Sequence, residues 1–152
     1  MLLASLFLAA ATPPPAVLPR GTAVRVMVLN EVSSRSARAG DLFVIMVDSP
    51  VRLGERVVIP AGTRGTGTVV EVIPSNIGGK AGRLTARVAT LTLGNRSIAI
   101  TGAFGTAGPS TRAPAALAAT AASPLTPLAR GNNAVLKVGE ILDAELAEDV
   151  AF

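Results

Sequence analysis

Between residues 22 and 102, apolar and polar positions mostly alternate with a period of two, the mark of half-buried strands and not of helices. Over Thr22–Val32, Val24, Val26 and Val28 share one face, and Arg25, Met27 and Leu29 share the other. Leu42–Val47 is apolar on both faces, which predicts a central strand covered on two sides. Val51–Leu53 and Arg56–Ile59, joined by Gly54-Glu55, predict a short hairpin. In the next strand, running to Ile73, Gly65 and Gly67 leave one face bare, as at a bend or a close backbone approach. Pro74–Gly82 reads as a loop. Arg83–Leu93 predicts a long strand with Leu84, Ala86 and Val88 on one face and Arg83, Thr85 and Arg87 on the other. Gly94-Asn95 is a two-residue hairpin signal, with the return strand over Arg96–Ile100. Val135–Val138 and Ile141–Leu146 predict closing strands, and Glu145, Glu148 and Asp149 are expected on a solvated tail.

One phrase punctuates this pattern. Leu18-Pro19-Arg20-Gly21-Thr22 recurs as Ile59-Pro60-Ala61-Gly62-Thr63 and, more loosely, as Leu136-Lys137-Val138-Gly139-Glu140, while Ala39-Gly40-Asp41 supplies another turn. Proline fixes φ near −65° and glycine accepts a positive φ, so the phrase predicts a corner feeding a strand. Repeated corners and alternating strands predict an all-β protein, a small β-barrel or sandwich, in one domain over residues 18–152.

Composition changes over 103–131, which reads as an insertion. Ala103–Ala129 is built of Ala, Thr, Pro, Gly and Ser with Arg112 its one charge. Pro114 is placed to open a short helix over Ala115–Ser123, stopped by Pro124. A flexible insertion is the first reading of this segment; a small apolar helix is the second, which makes 113–129 the candidate for association with a partner or the outer membrane. At the other end, residues 1–11 (MLLASLFLAAA) match the apolar core of a secretory signal, with Ala9 and Ala11 as the small-x-small cleavage pattern. Residues 12–17 form a Pro-rich linker. Export is therefore expected, to the periplasm or an outer-membrane-associated position.

The chemistry open to the chain is narrow. It has no histidine and no cysteine, which removes imidazole bases, thiolate nucleophiles, disulfides and most transition-metal sites, so no cofactor or metal is expected. Four phenylalanines are the only aromatics, so the core must be aliphatic, and single-stranded nucleic acid finds no stacking platform. The net charge is +4, with thirteen basic and five acidic residues from Arg20 to Arg130, then Lys137 and five acids. Arg83 and Arg87 on one strand face are candidates for reading anionic cell-wall or lipid groups. The Gly78-Gly79-Lys80-Ala81-Gly82 loop offers backbone amides to an anion. Gly65-Thr66-Gly67 is no phosphate cradle, since no Gly-Lys-Ser/Thr follows and a strand succeeds it. Asp41, Asp48, Glu55 and Glu71 are the available carboxylates for acid–base work, with no nucleophile motif beside them. A non-enzymatic protein is expected.

This order of elements resembles the C-terminal β-barrel domain of TrbI-like scaffolds of type IV secretion and conjugation systems. The resemblance rests on the entry strand at Leu18–Val28, the Ile59-Pro60-Ala61-Gly62 turn with its glycine-led strand to Ile73, and the hairpin over Arg83–Gly102. It continues through the Ala-rich insertion at 103–129 and the closing strand over Val135–Val150. It implies a modified β-barrel in the periplasm, protein partners in the cell envelope, and homo-oligomers whose insertions enter the outer membrane. The insertion here is too short and proline-broken for the paired helices of that plan, which marks a short, divergent relative.

Overall fold

A computed structural model describes residues 15–108 and 131–152. It is all-β, and among the described residues there is no helix. The strands are β1 (Val17–Leu18), β2 (Ala23–Val28), β3 (Val32–Ser33), β4 (Leu42–Val47), β5 (Val51–Leu53) and β6 (Arg56–Ile59). They continue as β7 (Arg64–Ile73), β8 (Arg83–Leu93), β9 (Arg96–Ala107), β10 (Val135–Leu136), β11 (Ile141–Leu146) and β12 (Val150–Ala151). Six of these close an antiparallel barrel in the order β11-β2-β4-β7-β8-β9. The pairs β1–β12, β3–β10 and β5–β6 are two-stranded flaps on its rims. The barrel, and not the sandwich, is the architecture.

Four of the six barrel strands begin at one kind of corner. In Pro19–Thr22, Arg38–Asp41, Pro60–Thr63 and Lys137–Glu140, the first carbonyl accepts the fourth N–H at 3.2, 3.1, 3.3 and 3.2 Å. The third residue is glycine at φ 80°, 95°, 87° and 84°, the geometry of a type II turn. The side chain at the fourth position matches the first. Where the first residue is proline, without an N–H, Thr22 and Thr63 hydroxyls donate to the Pro19 and Pro60 carbonyls at 2.6 and 2.7 Å. Where it is Arg38 or Lys137, a carboxylate from Asp41 or Glu140 accepts its N–H at 2.8 and 3.0 Å. Arg38–Asp41 is thus a fourth copy of the corner, hidden in the sequence by its exchange of Pro/Thr for Arg/Asp.

Each corner is also stitched to a neighbouring strand. Gly21 N–H donates to Leu146 O and Gly139 N–H to Val28 O, at 2.9 and 2.8 Å. Gly40 N–H donates to Val69 O and Gly62 N–H to Val47 O, both at 2.8 Å. The strand ends answer: Leu146, Val28, Val69 and Val47 N–H groups donate to Thr22, Glu140, Asp41 and Thr63 carbonyls at 2.8–3.0 Å. The pairs β2–β11 and β4–β7 therefore share one reciprocal backbone frame.

Alternation predicts the inward faces of β2 and β8, and the barrel adds those of β4 and β11. Val24, Val26, Val28, Phe43, Ile45, Val47, Leu84, Ala86, Val88, Leu142, Ala144 and Leu146 point inward and are buried. Each such side chain contributes roughly 1.5–3 kcal/mol. The bare face of β7 has a direct cause: a Cβ on Gly67 would collide with the Phe43 ring, and one on Gly65 with Thr90 O. The largest core side chain, Phe43, occupies the space Gly67 leaves, while Leu91 and Ile45 press on Gly65. Among the described residues no buried side-chain polar atom lacks a partner. The Ser34 hydroxyl, for example, accepts the Ala134 N–H at 2.9 Å.

Several sequence expectations are corrected. β4 is covered on one side only: Phe43, Ile45 and Val47 face in, while Leu42 and Val44 are 70% and 39% exposed. A barrel wall is one layer, and among the described residues neither it nor the two-stranded pairs cover the outer side of Leu42 and Val44. The strand expected over Thr22–Val32 breaks at Leu29–Glu31, where the Asn30 side chain accepts the Val44 N–H at 2.6 Å. Only Val135–Leu136 is extended in the stretch expected to run to Val138, and it pairs with β3 outside the barrel. β9 runs to Ala107, into the range read as insertion, because its pairing with β8 continues to Arg83↔Ala107. Val17, assigned to the linker, pairs with Ala151, and Asp149 in the tail accepts the Arg20 N–H at 2.6 Å. The signal-like segment 1–11, the short helix over 115–123 and the membrane-associating stretch 113–129 lie outside the described residues.

Candidate functional site

β7, β8 and β9 have 10, 11 and 12 residues against 6 in β2, β4 and β11, so they outrun the barrel at one end. That end carries the residues singled out by charge. Arg83, Thr85 and Arg87 lie on the outer face of β8, opposite the buried Leu84, Ala86 and Val88. Register places Ile73, Glu71 and Thr68 beside them on β7, and Ala107, Gly105 and Ala103 on β9. The two arginines therefore stand over small side chains on one flank. Among the described residues the one ion pair is Arg25–Asp143 at 3.8 Å, on the opposite wall.

The structure separates the two arginines. Arg83 joins Lys80, Ile73, Pro74, Asn76 and Ala107 in lining a cleft of about 550 Å³, while Arg87 stays outside it on the open face. Lys80 is the residue that sequence reasoning missed as a partner of Arg83. It is brought there by the loop: Asn76 Oδ1 accepts the Gly78 and Lys80 N–H groups at 3.2 and 3.3 Å, and Asn76 N–H donates to Lys80 O at 3.3 Å. The same bonds occupy the Gly78 and Lys80 amides, so the cleft offers an anion cationic side chains rather than these two amides. A second cleft of about 410 Å³, lined by Arg35, Ser75, Ile77 and Asn132 among others, lies across the Pro74–Asn76 strand of loop. There the Ser75 hydroxyl donates to Asn133 Oδ1 at 2.9 Å. Charges this exposed attract an anion weakly and in a salt-dependent way.

A second surface is aliphatic. The outward residues of β4 are Leu42, Val44 and Met46; register sets Met46 beside Met27 of β2, and Met27 beside Ile141 of β11. The result is an apolar band across three strands of the barrel wall. The predicted turn residues all lie in turns: Pro19, Gly21, Gly40, Pro60, Gly62 and Gly139 in the four corners, Gly94 and Asn95 in the β8–β9 hairpin. With φ of 58° at Gly94 and no positive φ at Asn95, that hairpin turn follows the II′ pattern.

The carboxylates are not gathered. Asp41 and Asp48 sit at opposite ends of β4, roughly 23 Å apart by strand rise. Paired-carboxylate hydrolysis requires about 5–9.5 Å. Asp41 is a corner cap, and Asp48 accepts the Ser49 hydroxyl at 3.1 Å. Glu55 lies in the β5–β6 turn and Glu71 on the outer face of β7. Among the described residues no group of three His, Cys, Asp or Glu side chains is placed to hold a metal, and no helix is long and apolar enough to cross a membrane. No protein-family model matches the chain, and no curated protein matches it.

Proposed function

We propose that this protein is a non-enzymatic, exported scaffold of the cell envelope, a divergent relative of the TrbI-like barrels of type IV secretion, that works by holding protein partners. The observation that carries this reading is the apolar outer band of the barrel wall, with Leu42 70% exposed at its edge. The core does not need these side chains, and contiguous exposed apolar surface on a soluble barrel marks a contact face. The closed, rim-stitched barrel suits a rigid spacer, and the signal-like residues 1–11 suit export.

The test is fractionation of cells expressing the full chain, followed by sedimentation of detergent-extracted envelopes. The expected result is a large envelope-associated complex that Leu42→Lys with Val44→Lys shifts to the monomer position, the purified variant keeping its thermal midpoint. A cytoplasmic monomer sinks the proposal.

The cleft holding Lys80 and Arg83 favours a second reading, a periplasmic module for anionic cell-wall or lipid groups. Co-sedimentation with peptidoglycan and with anionic vesicles separates the two sources. Binding to either that is lost in Lys80→Ala/Arg83→Ala supports the reading, and equal binding by that variant removes it.

A further inference from the structure

The barrel closes across one seam that is paired over only part of its length. β9 and β11 pair only at Thr101↔Glu145 and Ile100↔Leu146. At Gly102 they still touch, since a Cβ there would meet Asp143 O at 3.1 Å and Ala144 Cα at 3.3 Å. Beyond it β9 continues to Ala107 while β11 pairs on its other side with β2. Between the end of β9 and Asn133–Glu140 lies a groove of about 380 Å³, lined by Thr106, Ala107, Gly108, Val135 and Lys137 among others.

The direction of the backbone on this edge follows from two anchors. Thr101 is paired across to β11, and Gly108 N–H donates to Gly82 O, on the β8 side, at 2.9 Å. Antiparallel strands send successive residues' N–H and C=O groups to alternate sides. Gly102, Phe104 and Thr106 therefore bond to β8, and Ala103, Gly105 and Ala107 turn theirs into the seam. The register with β11 stops at Thr101↔Glu145, so none of these three is paired with it, and among the described residues none makes a backbone bond outside the strand ladders. Across the seam, Ile141 and Asp143 of β11 are turned the same way, because Leu142 and Ala144 face β2.

Exposed edges are ordinarily guarded by lysine, proline or a bulge. Here the edge side chains are Ala103, Gly105 and Ala107, all exposed, and a Cβ on Gly105 would meet nothing within 4 Å. A ladder of alternating donors and acceptors spaced two residues apart matches one kind of ligand, an extended polypeptide.

We infer that the seam beside β9 is a strand-addition site, taking an extended segment of a partner protein as a further strand antiparallel or parallel to Ala103–Ala107. The added strand's inward side chains meet Phe104 and Val135, which line the interior side, so alternate apolar residues are required. Its outward side chains pass over Ala103, Gly105 and Ala107 without obstruction. The inference rests on the scaffold reading and supplies its contact.

The experiment uses the full chain and a displayed library of random decapeptides, with selected peptides synthesised. The expected binders alternate apolar residues, lose at least tenfold in affinity when alternate amides are N-methylated, and lose at least tenfold on Gly105→Pro. That substitution deletes an N–H turned into the seam and leaves the β8 ladder whole. Amide exchange gives a second, variant-free measurement. In the free protein, Ala103, Gly105 and Ala107 amides exchange fast while Gly102, Phe104 and Thr106 are protected, and bound peptide protects the first three. Protection of all six in the free monomer means that the chain fills its own seam, and overturns the inference. So does a dimer abolished by Gly105→Pro, a selection that yields no binder, or binding indifferent to N-methylation. If the envelope complex persists through any of these failures, the scaffold reading stands with a different contact face.

Discussion

The β4–β7 and β2–β11 pairs share a backbone and differ in what fills it. In both, glycine corners exchange the same four hydrogen bonds with the partner strand's end. Equivalent positions then hold Phe43 opposite Gly67 and Ile45 opposite Gly65 in one pair, and Val24 opposite Ala144 and Val26 beside Leu142 in the other. One pair sets large side chains against glycine; the other has a side chain on both strands at each position. Frame and filling are separable: corner chemistry places the strands, and at Phe43–Gly67 one residue takes the volume its partner gives up.

The largest expected effect tests the filling. Phe43→Ala removes the largest buried side chain opposite Gly67, which has no side chain to fill the void, and should cost about 3–5 kcal/mol in urea unfolding. A loss below that of Leu142→Ala breaks the claim that the two pairs are filled differently. Next, Gly67→Ala should cost about 1–3 kcal/mol by overpacking against the ring. Combining it with Phe43→Val recreates the Val24–Ala144 combination and should recover part of the sum, with a coupling of about 0.5–3 kcal/mol in a double-mutant cycle. Additive losses would refute volume sharing.

The frame is tested by its glycines. Gly62→Ala and Gly139→Ala place a Cβ at φ of 87° and 84° with open space around it, so strain alone acts. Each should cost roughly 1–2 kcal/mol, equally in the two pairs. A large inequality means that the corners are not equivalent. The smallest effect belongs to Arg25–Asp143, a 3.8 Å pair with side chains 56% and 90% exposed. Asp143→Ala should change stability by less than about 1 kcal/mol, and the difference should vanish in high salt.

Much of the barrel was legible because its signals are local. Period-two alternation named the inward residues of β2 and β8, and Gly94-Asn95 named the hairpin between β8 and β9. The bare face at Gly65 and Gly67 announced a close approach without saying to what; Phe43, more than twenty residues away, is visible as its partner only in register. Lys80 was overlooked beside Arg83 because Asn76 sets the loop through hydrogen bonds that leave no spacing signal. The fourth corner at Arg38–Asp41 was unrecognised as a copy because it has no proline, and its carboxylate accepts an N–H where the threonine hydroxyl after proline donates to a carbonyl.

By itself, the sequence determined strand propensity, the inward and outward faces of the main strands and the corners that launch them, since φ preference, alternation and turn bonds act over a few residues. Closure decided the rest. Only the tertiary arrangement shows that β4 is covered on one side, that β9 follows β8 to Ala107, and that it parts from β11 after Gly102. Those outcomes depend on which strand lies alongside which, a long-range matter of register that no short stretch of chain encodes.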